Sequence, residues 1–135
     1  MRVLVIPVNE AFYAVPMEAV HQVLRHPQVT SVPLAPKGLI GVINVRGEIV
    51  PLLDTGVLTD TGALVSPPFA VLVSGEKDLV ALAARDLPMT AEFETAVGPG
   101  GGTGEVGVYS SDGRLIVLLG IDELVNSRLD LKSAS

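Results

Sequence analysis

The segment Gly41–Asp54, GVINVRGEIVPLLD, leaves the backbone little choice. Two arms rich in Val and Ile, Gly41–Val45 and Glu48–Asp54, flank the dipeptide Arg46-Gly47. β-Branched residues suit a pleated, half-buried surface, and a glycine supplies the positive φ that a tight reversal demands. The spacing predicts a β-hairpin with an arginine on its corner. The strand period of two then puts Val42, Asn44 and Arg46 on one side and Ile43 and Val45 on the other. A hairpin that is apolar along its arms and lifts Asn44 and Arg46 to one face is suited to presenting them. The plainer reading is a solvated corner arginine with no partner.

The rest of the chain reads as short strands joined by turns. Arg2–Val8 and Ala11–Val15 flank Asn9-Glu10, a first hairpin. Pro7 and Asn9 interrupt the apolar run after Met1-Arg2 before it can serve as a secretory signal. Pro16 suits the first turn of a helix, and Met17, Val20, Val23 and Leu24 recur at helical spacing until Pro27. A short helix over 16–25 is therefore expected, without an N-cap and held by packing. Val29–Pro36, with Pro33 and Pro36, allows only a short strand near an edge. Beyond the Ser-Pro-Pro break at 66–68, Phe69–Ser74 and Leu79–Ala84 flank Gly75–Asp78 as a further hairpin. Arg85–Val97 is irregular, and Gly98–Gly104 (GPGGGTG) is a flexible loop by composition. Glu105–Tyr109 and Arg114–Leu119 flank Ser110–Gly113, another hairpin. A last short helix near 121–126 carries Asp122 and Glu123 in its first turn, where the helix dipole favours acids. Many short strands with few helices indicate small barrels or a sandwich.

The order of these pieces resembles the CheW-like domain of bacterial chemosensory systems. The resemblance rests on YAVPMEAVHQVLRHPQVTSVPLAP followed by GVINVRGEIVPLLD. It matches the family's run of an apolar-Ala-Val-Pro step, a short helix, a Val-Pro step, and Gly-x-x-Asn-[Leu/Val]-Arg-Gly-x-[Ile/Val]-x-Pro-apolar-apolar-Asp. The first half of the chain follows that pattern closely and the second half loosely. The resemblance implies a mainly β fold of two small five-stranded β-barrels, SH3-like, that share a core. The first would span about 12–66 and the second about 69–120, with the terminal strands and helix completing one domain over 1–135. It also implies a cytoplasmic adaptor without catalysis or cofactor. Such an adaptor couples the cytoplasmic hairpin of chemoreceptors to the regulatory domain of a CheA-type histidine kinase. The partner-binding residues carried over are Gly41, Asn44, Arg46 and Gly47, with Val20 adding apolar surface to the receptor groove. Gln22 stands where the family commonly has Glu, which removes a carboxylate partner for Arg46. Leu82-Ala83-Ala84-Arg85 departs from the family's apolar-apolar-Asp and Gly120 stands where the family often has Asp or Asn, on the half that the family uses mainly for kinase binding.

Composition narrows the alternatives. There is no cysteine, so disulfides, thiolate metal sites and cysteine nucleophiles are excluded. The net charge is −6, and residues 1–67 carry four Lys/Arg and five Asp/Glu against five and ten in 68–135. That balance, without a basic patch or interleaved aromatics, argues against nucleic acid as a partner. No apolar run reaches the roughly 18–20 residues that span a bilayer, so no membrane insertion is expected. His21 and His26 are five apart and lack an accompanying carboxylate cluster, so no metal site is read there. Gly102–Gly107 matches G-x-G-x-x-G, but a strand pattern follows where a helix is required. The sharpest competitor is Asp54-Thr55-Gly56 after Val-Pro-Leu-Leu, together with the later Ile116–Asp122 run. This resembles a retroviral-type aspartic protease, in which a homodimer supplies two aspartates that share a proton. That reading leaves Ala14–Val50 unexplained.

Overall fold

The computed structural model describes residues 1–128 apart from 94, 102 and 103; the side chains of 95, 127 and 128 are likewise not described. Eleven strands form among these residues: β1 Arg2–Val8, β2 Ala11–Pro16, β3 Val20–Arg25, β4 Leu39–Val45, β5 Glu48–Leu53, β6 Phe69–Ser74, β7 Leu79–Ala84, β8 Met89–Glu92, β9 Thr95–Gly98, β10 Glu105–Ser111 and β11 Arg114–Leu119. Two helices follow hairpins: α1 Thr55–Leu58 after β5, and α2 Ile121–Arg128 after β11. The strands pair into a six-stranded sheet, β8-β1-β2-β11-β10-β9, and a five-stranded sheet, β3-β6-β7-β5-β4. The fold is thus mainly β with two mixed sheets. Strand pairing that would close either sheet into a barrel is not among the pairings of the described residues.

The sheets do not follow the order of the sequence. β1 and β2 pair with β8 and β11, whereas β6 and β7 pair with β3 and β5. Each sheet therefore combines strands from both sides of residue 68, and a division at 12–66 and 69–120 does not coincide with either. The two sides are nonetheless equivalent, ladder by ladder. The antiparallel pairs β1·β2 and β6·β7 match, and so do β4·β5 and β10·β11. The parallel joints Leu52↔Ala81 and Leu118↔Ala14 also correspond. A bulge interrupts β4·β5 between Leu39 and Gly41, and another interrupts β10·β11 between Glu105 and Gly107. Asp54 N–H donates to Gly38 O at 2.7 Å, and Gly120 N–H donates to Gly104 O at 2.8 Å. His26 N–H donates to Pro68 O as Phe93 N–H donates to Met1 O. The domain is a pseudo-repeat whose halves have exchanged strands.

The core explains why β1 shows so little polar alternation. Its Leu4, Ile6 and Val8 face a large cluster with Val50, Leu52, Leu53, Val71, Val73 and Leu82 between the sheets. Its Val3 and Val5 turn the other way, into a smaller cluster with Ala14, Phe93, Ile116 and Leu118. Both faces of the strand are covered, so both must be apolar. Phe93 stacks on Tyr109 with centroids 4.3 Å apart and closes the smaller cluster.

The helix expected over 16–25 is a correction. Only Met17–Ala19 turns, as one 3₁₀ turn, and Val20–Arg25 is β3 on the edge of the five-stranded sheet. The register slips between Val20↔Val73 and Gln22↔Leu72, a bulge at His21. One extra residue inside a strand converts a spacing of two into three, which imitates a helical pattern. The irregular stretch 85–97 holds β8 and most of β9, both short edge strands. In Val29–Pro36 the only pairing among described residues is the bridge Thr30↔Val42.

Candidate functional site

The β4–β5 hairpin forms as its sequence requires, with register Val45↔Glu48 and Asn44↔Ile49. The turn needs two left-handed residues in succession: Arg46 has φ 52° and Gly47 has φ 86°. This is the type I′ geometry whose twist matches that of the flanking strands. Glycine tolerates the conformation and arginine does so at a cost of about 1 kcal/mol. Asn44 offsets part of that cost, because its Oδ1 accepts the Gly47 N–H at 2.8 Å. The alternation along β4 therefore ends at Val45. Arg46 is not the next residue on the Asn44 face; it is the exposed corner itself, and Asn44 is the brace beneath it.

The structure separates the other expected residues by role. Gly41 is buried, and a Cβ there would stand 2.4 Å from Thr30 O and 2.6 Å from Val29 Cγ1. Its glycine lets residues 29–30 cross the β4 edge, where Thr30 and Val42 exchange N–H···O bonds of 2.9 Å. Val20 is half-buried on β3 opposite Val73 and packs against the main core. Gln22, Asn44 and Arg46 do come together, around a groove of about 840 Å³ between β3 and β4. Gln22 and Arg46 also flank an adjoining hollow of about 230 Å³ with His21, Val45, Glu48, Leu72 and Leu79. Across these two hollows lie Arg25 and Arg46 against the one carboxylate Glu48, a net positive lining in an acidic protein. Among the described residues no carboxylate lies within salt-bridge distance of Arg46.

Sequence reasoning missed Arg25 and His26 because it placed them at the end of a helix. As strand and strand-end residues they line the groove with Gln22. Arg25 also lies over the Phe69 ring at 5.8 Å.

Asp54 is turned inward. It is 6% exposed and caps α1: Oδ1 accepts Val57 N–H at 3.1 Å, and both oxygens accept Leu64 N–H at 3.1–3.2 Å. Thr55 is fully buried and its hydroxyl donates to Ala83 O at 2.7 Å. These contacts give Asp-Thr-Gly a structural use, joining α1, the Leu64 segment and β7. Among the described residues there is no group of three or more His, Asp or Glu that could hold a metal ion, and no helix long and apolar enough to cross a membrane. Gly102 and Thr103 of the G-x-G-x-x-G match lie outside the described residues. Gly104 lies against Leu124 of α2, and β10 follows it.

A family model described as the CheW-like domain matches residues 2–129. The chain belongs to the CheW-like domain family. Among solved structures, the scaffolding protein TtCheW from Thermoanaerobacter tengcongensis superposes with a TM-score of 0.74 over 87% of each chain, at 20% identity. No curated protein matches the sequence. The CheW-like match extends through β6–β11 and α2, the half in which the sequence pattern is loosest.

Proposed function

We propose that this chain is a chemosensory adaptor, which couples the cytoplasmic hairpin of chemoreceptors to the regulatory domain of a CheA-type histidine kinase through protein–protein contacts. Membership in the CheW-like family and the likeness to a scaffolding protein support the reading. The observation that carries it is Arg46. A long planar cation stands on a corner fixed in the left-handed region, braced by Asn44, beside an open groove. Strain kept at an exposed position without a packing role points to use of that side chain. Arginine is favoured at interface centres for its five donors and stackable face. Both edge strands of the five-stranded sheet, β3 and β4, line the same groove, which supports reading that sheet as curled into an open barrel. Gly41 and Gly47 shape this surface, and Gln22 forms its far wall.

The test is titration of a receptor cytoplasmic-hairpin fragment against wild type, Arg46→Glu and Arg46→Lys, with a melting curve for each. Arg46→Glu leaves folding nearly unchanged, since an exposed corner adds little to the core. Binding falls by about 2 kcal/mol or more, the range of hot-spot truncations. Arg46→Lys weakens it too, because an ammonium cannot reproduce a bidentate fork. Normal binding by Arg46→Glu returns the arginine to a solvated corner and removes the assignment.

A further inference from the structure

The exchanged halves give two equivalent places, one covered by an arginine of the chain itself and the other an open groove. In the first, Arg114 opens β11 and lays its guanidinium over the Phe12 ring, with Cζ 4.2 Å from the centroid. Below it, Asn9 Nδ2 donates to Thr61 O at 3.1 Å and Gly62 O at 2.7 Å, tying the β1–β2 turn to the segment after α1. The ladder equivalence puts Glu48 where Arg114 stands, because each is the first residue after a type I′ turn, Arg46-Gly47 or Asp112-Gly113. It puts Leu79 where Phe12 stands: Leu79 pairs with Ser74 as Phe12 pairs with Pro7. The arginine and its ring are thus replaced by a carboxylate and an aliphatic side chain. What remains is a groove of about 450 Å³ between β5, the β6–β7 turn and α2. Its apolar lining includes Ile49, Pro51, Leu79 and Val125. Glu48, Glu76, Asp78 and Asp122 surround it against the single cation Lys77.

We propose that this groove docks a segment of a partner protein that supplies an arginine between apolar side chains, the group the chain supplies for itself at the equivalent place. The floor suits the methylene stem of the arginine and its apolar neighbours. Glu48 offers the carboxylate that a guanidinium fork matches with two parallel bonds. The rim draws such a segment in by its charge and turns away an acidic one. This groove adjoins the hollow beside Arg46, sharing Glu48 and Leu79 with it, and the rest of its charged rim, Lys77 apart, is acidic. The two together let one domain hold an acidic and a basic partner at once.

The experiment titrates acetyl-Ile-Arg-Val-Arg-Ile-amide into ¹⁵N-labelled protein and follows the amides. A second peptide carries Glu in place of both arginines. The variant Glu48→Arg/Leu79→Phe transplants the filled arrangement into the open groove, and Glu48→Gln removes only the charge should the double variant fold poorly. The expected result is shifts confined to Glu48–Val50, Glu76–Val80 and Ile121–Asn126, weakened by salt and absent with the acidic peptide. Affinity drops by roughly tenfold or more in either variant, the loss of one close charge-assisted pair. Shifts elsewhere, an equal response to both peptides, or variants that bind normally overturn the proposal. Concentration-dependent shifts of the same amides without peptide also overturn it, since the occupant is then a second copy of the chain. Arg46 is unchanged throughout, so failure here leaves the adaptor reading to its own test.

Discussion

Asp122 holds Glu76. Both carboxylate oxygens of this α2 residue accept the Glu76 backbone N–H, at 2.9 and 3.1 Å, and so pin the β6–β7 turn to the C-terminal helix. Gly75 makes the approach possible, because a Cβ there would stand 2.4 Å from Asp122 Oδ1. Asp122→Ala is expected to lower stability by about 1.5 kcal/mol, the lower end for a hydrogen bond to a charged group, as suits a partly exposed site. Amide exchange at Glu76 should rise more than at Val80. Gly75→Ala should give the same pattern, since it displaces the carboxylate without removing it.

Gly41 and Gly47 lie on one hairpin and should respond differently to the same change. Gly47→Ala adds a Cβ into open space but keeps a φ of 86°, so the expected cost is the left-handed strain alone, about 1 kcal/mol. Gly41→Ala drives a methyl into the Thr30 carbonyl and Val29, and is expected to cost about 3 kcal/mol or to release the Thr30↔Val42 bridge. Denaturant melts rank the two, and loss of slow exchange at Val42 marks the second.

Asp54→Ala leaves the N–H groups of Val57 and Leu64 without their acceptor in a buried site, and should cost about 2–4 kcal/mol. Asp54→Asn retains one acceptor oxygen and should cost less. Neither variant should change hydrolysis of unfolded peptides relative to wild type. Pepstatin-sensitive cleavage by the wild type that disappears in Asp54→Asn would instead restore the protease reading.

Tyr13 gives a pH dependence. Burial holds its phenol above the usual value; the bond with Thr59 opposes this, and the charges of Glu105 and Asp60 add to it. The folded state keeps the proton after the unfolded state begins to lose it near pH ~10. Bound protons are then more numerous in the folded form, so stability is fully present below that pH and declines above it. Wild type should lose melting temperature on passing from about pH 9 to pH 11, and Tyr13→Phe should lose less over the same interval.

Much of this architecture could be read from local chemistry. Val/Ile arms around Arg46-Gly47, and apolar runs around Gly75–Asp78 and Asp112-Gly113, specify hairpins because turn and strand preferences agree. β3 was misread where they conflict: the bulge at His21 shifts the apolar spacing, and no turn residue marks the place. That error hid Arg25 and His26 from the groove. The double role of Asn44, strand residue and turn brace, depends on a bond to Gly47 that strand periodicity does not encode. The exchange of strands between halves was also out of reach. Parallel contacts such as Leu52↔Ala81 leave no local mark, since both partners are simply apolar.

The exchange also governs the order in which the chain can take shape. β2 emerges early, but its inner edge waits for β11: Tyr13 faces Val117 across about a hundred residues, the kind of distant closure that slows folding. Until then the β1–β2 hairpin carries apolar side chains on both faces and unpaired amides on both edges. Synthesis therefore brings out a first half that has no finished sheet to settle into. The five-stranded sheet has all its strands once β7 is made, whereas the six-stranded sheet can close only after β11, the last strand.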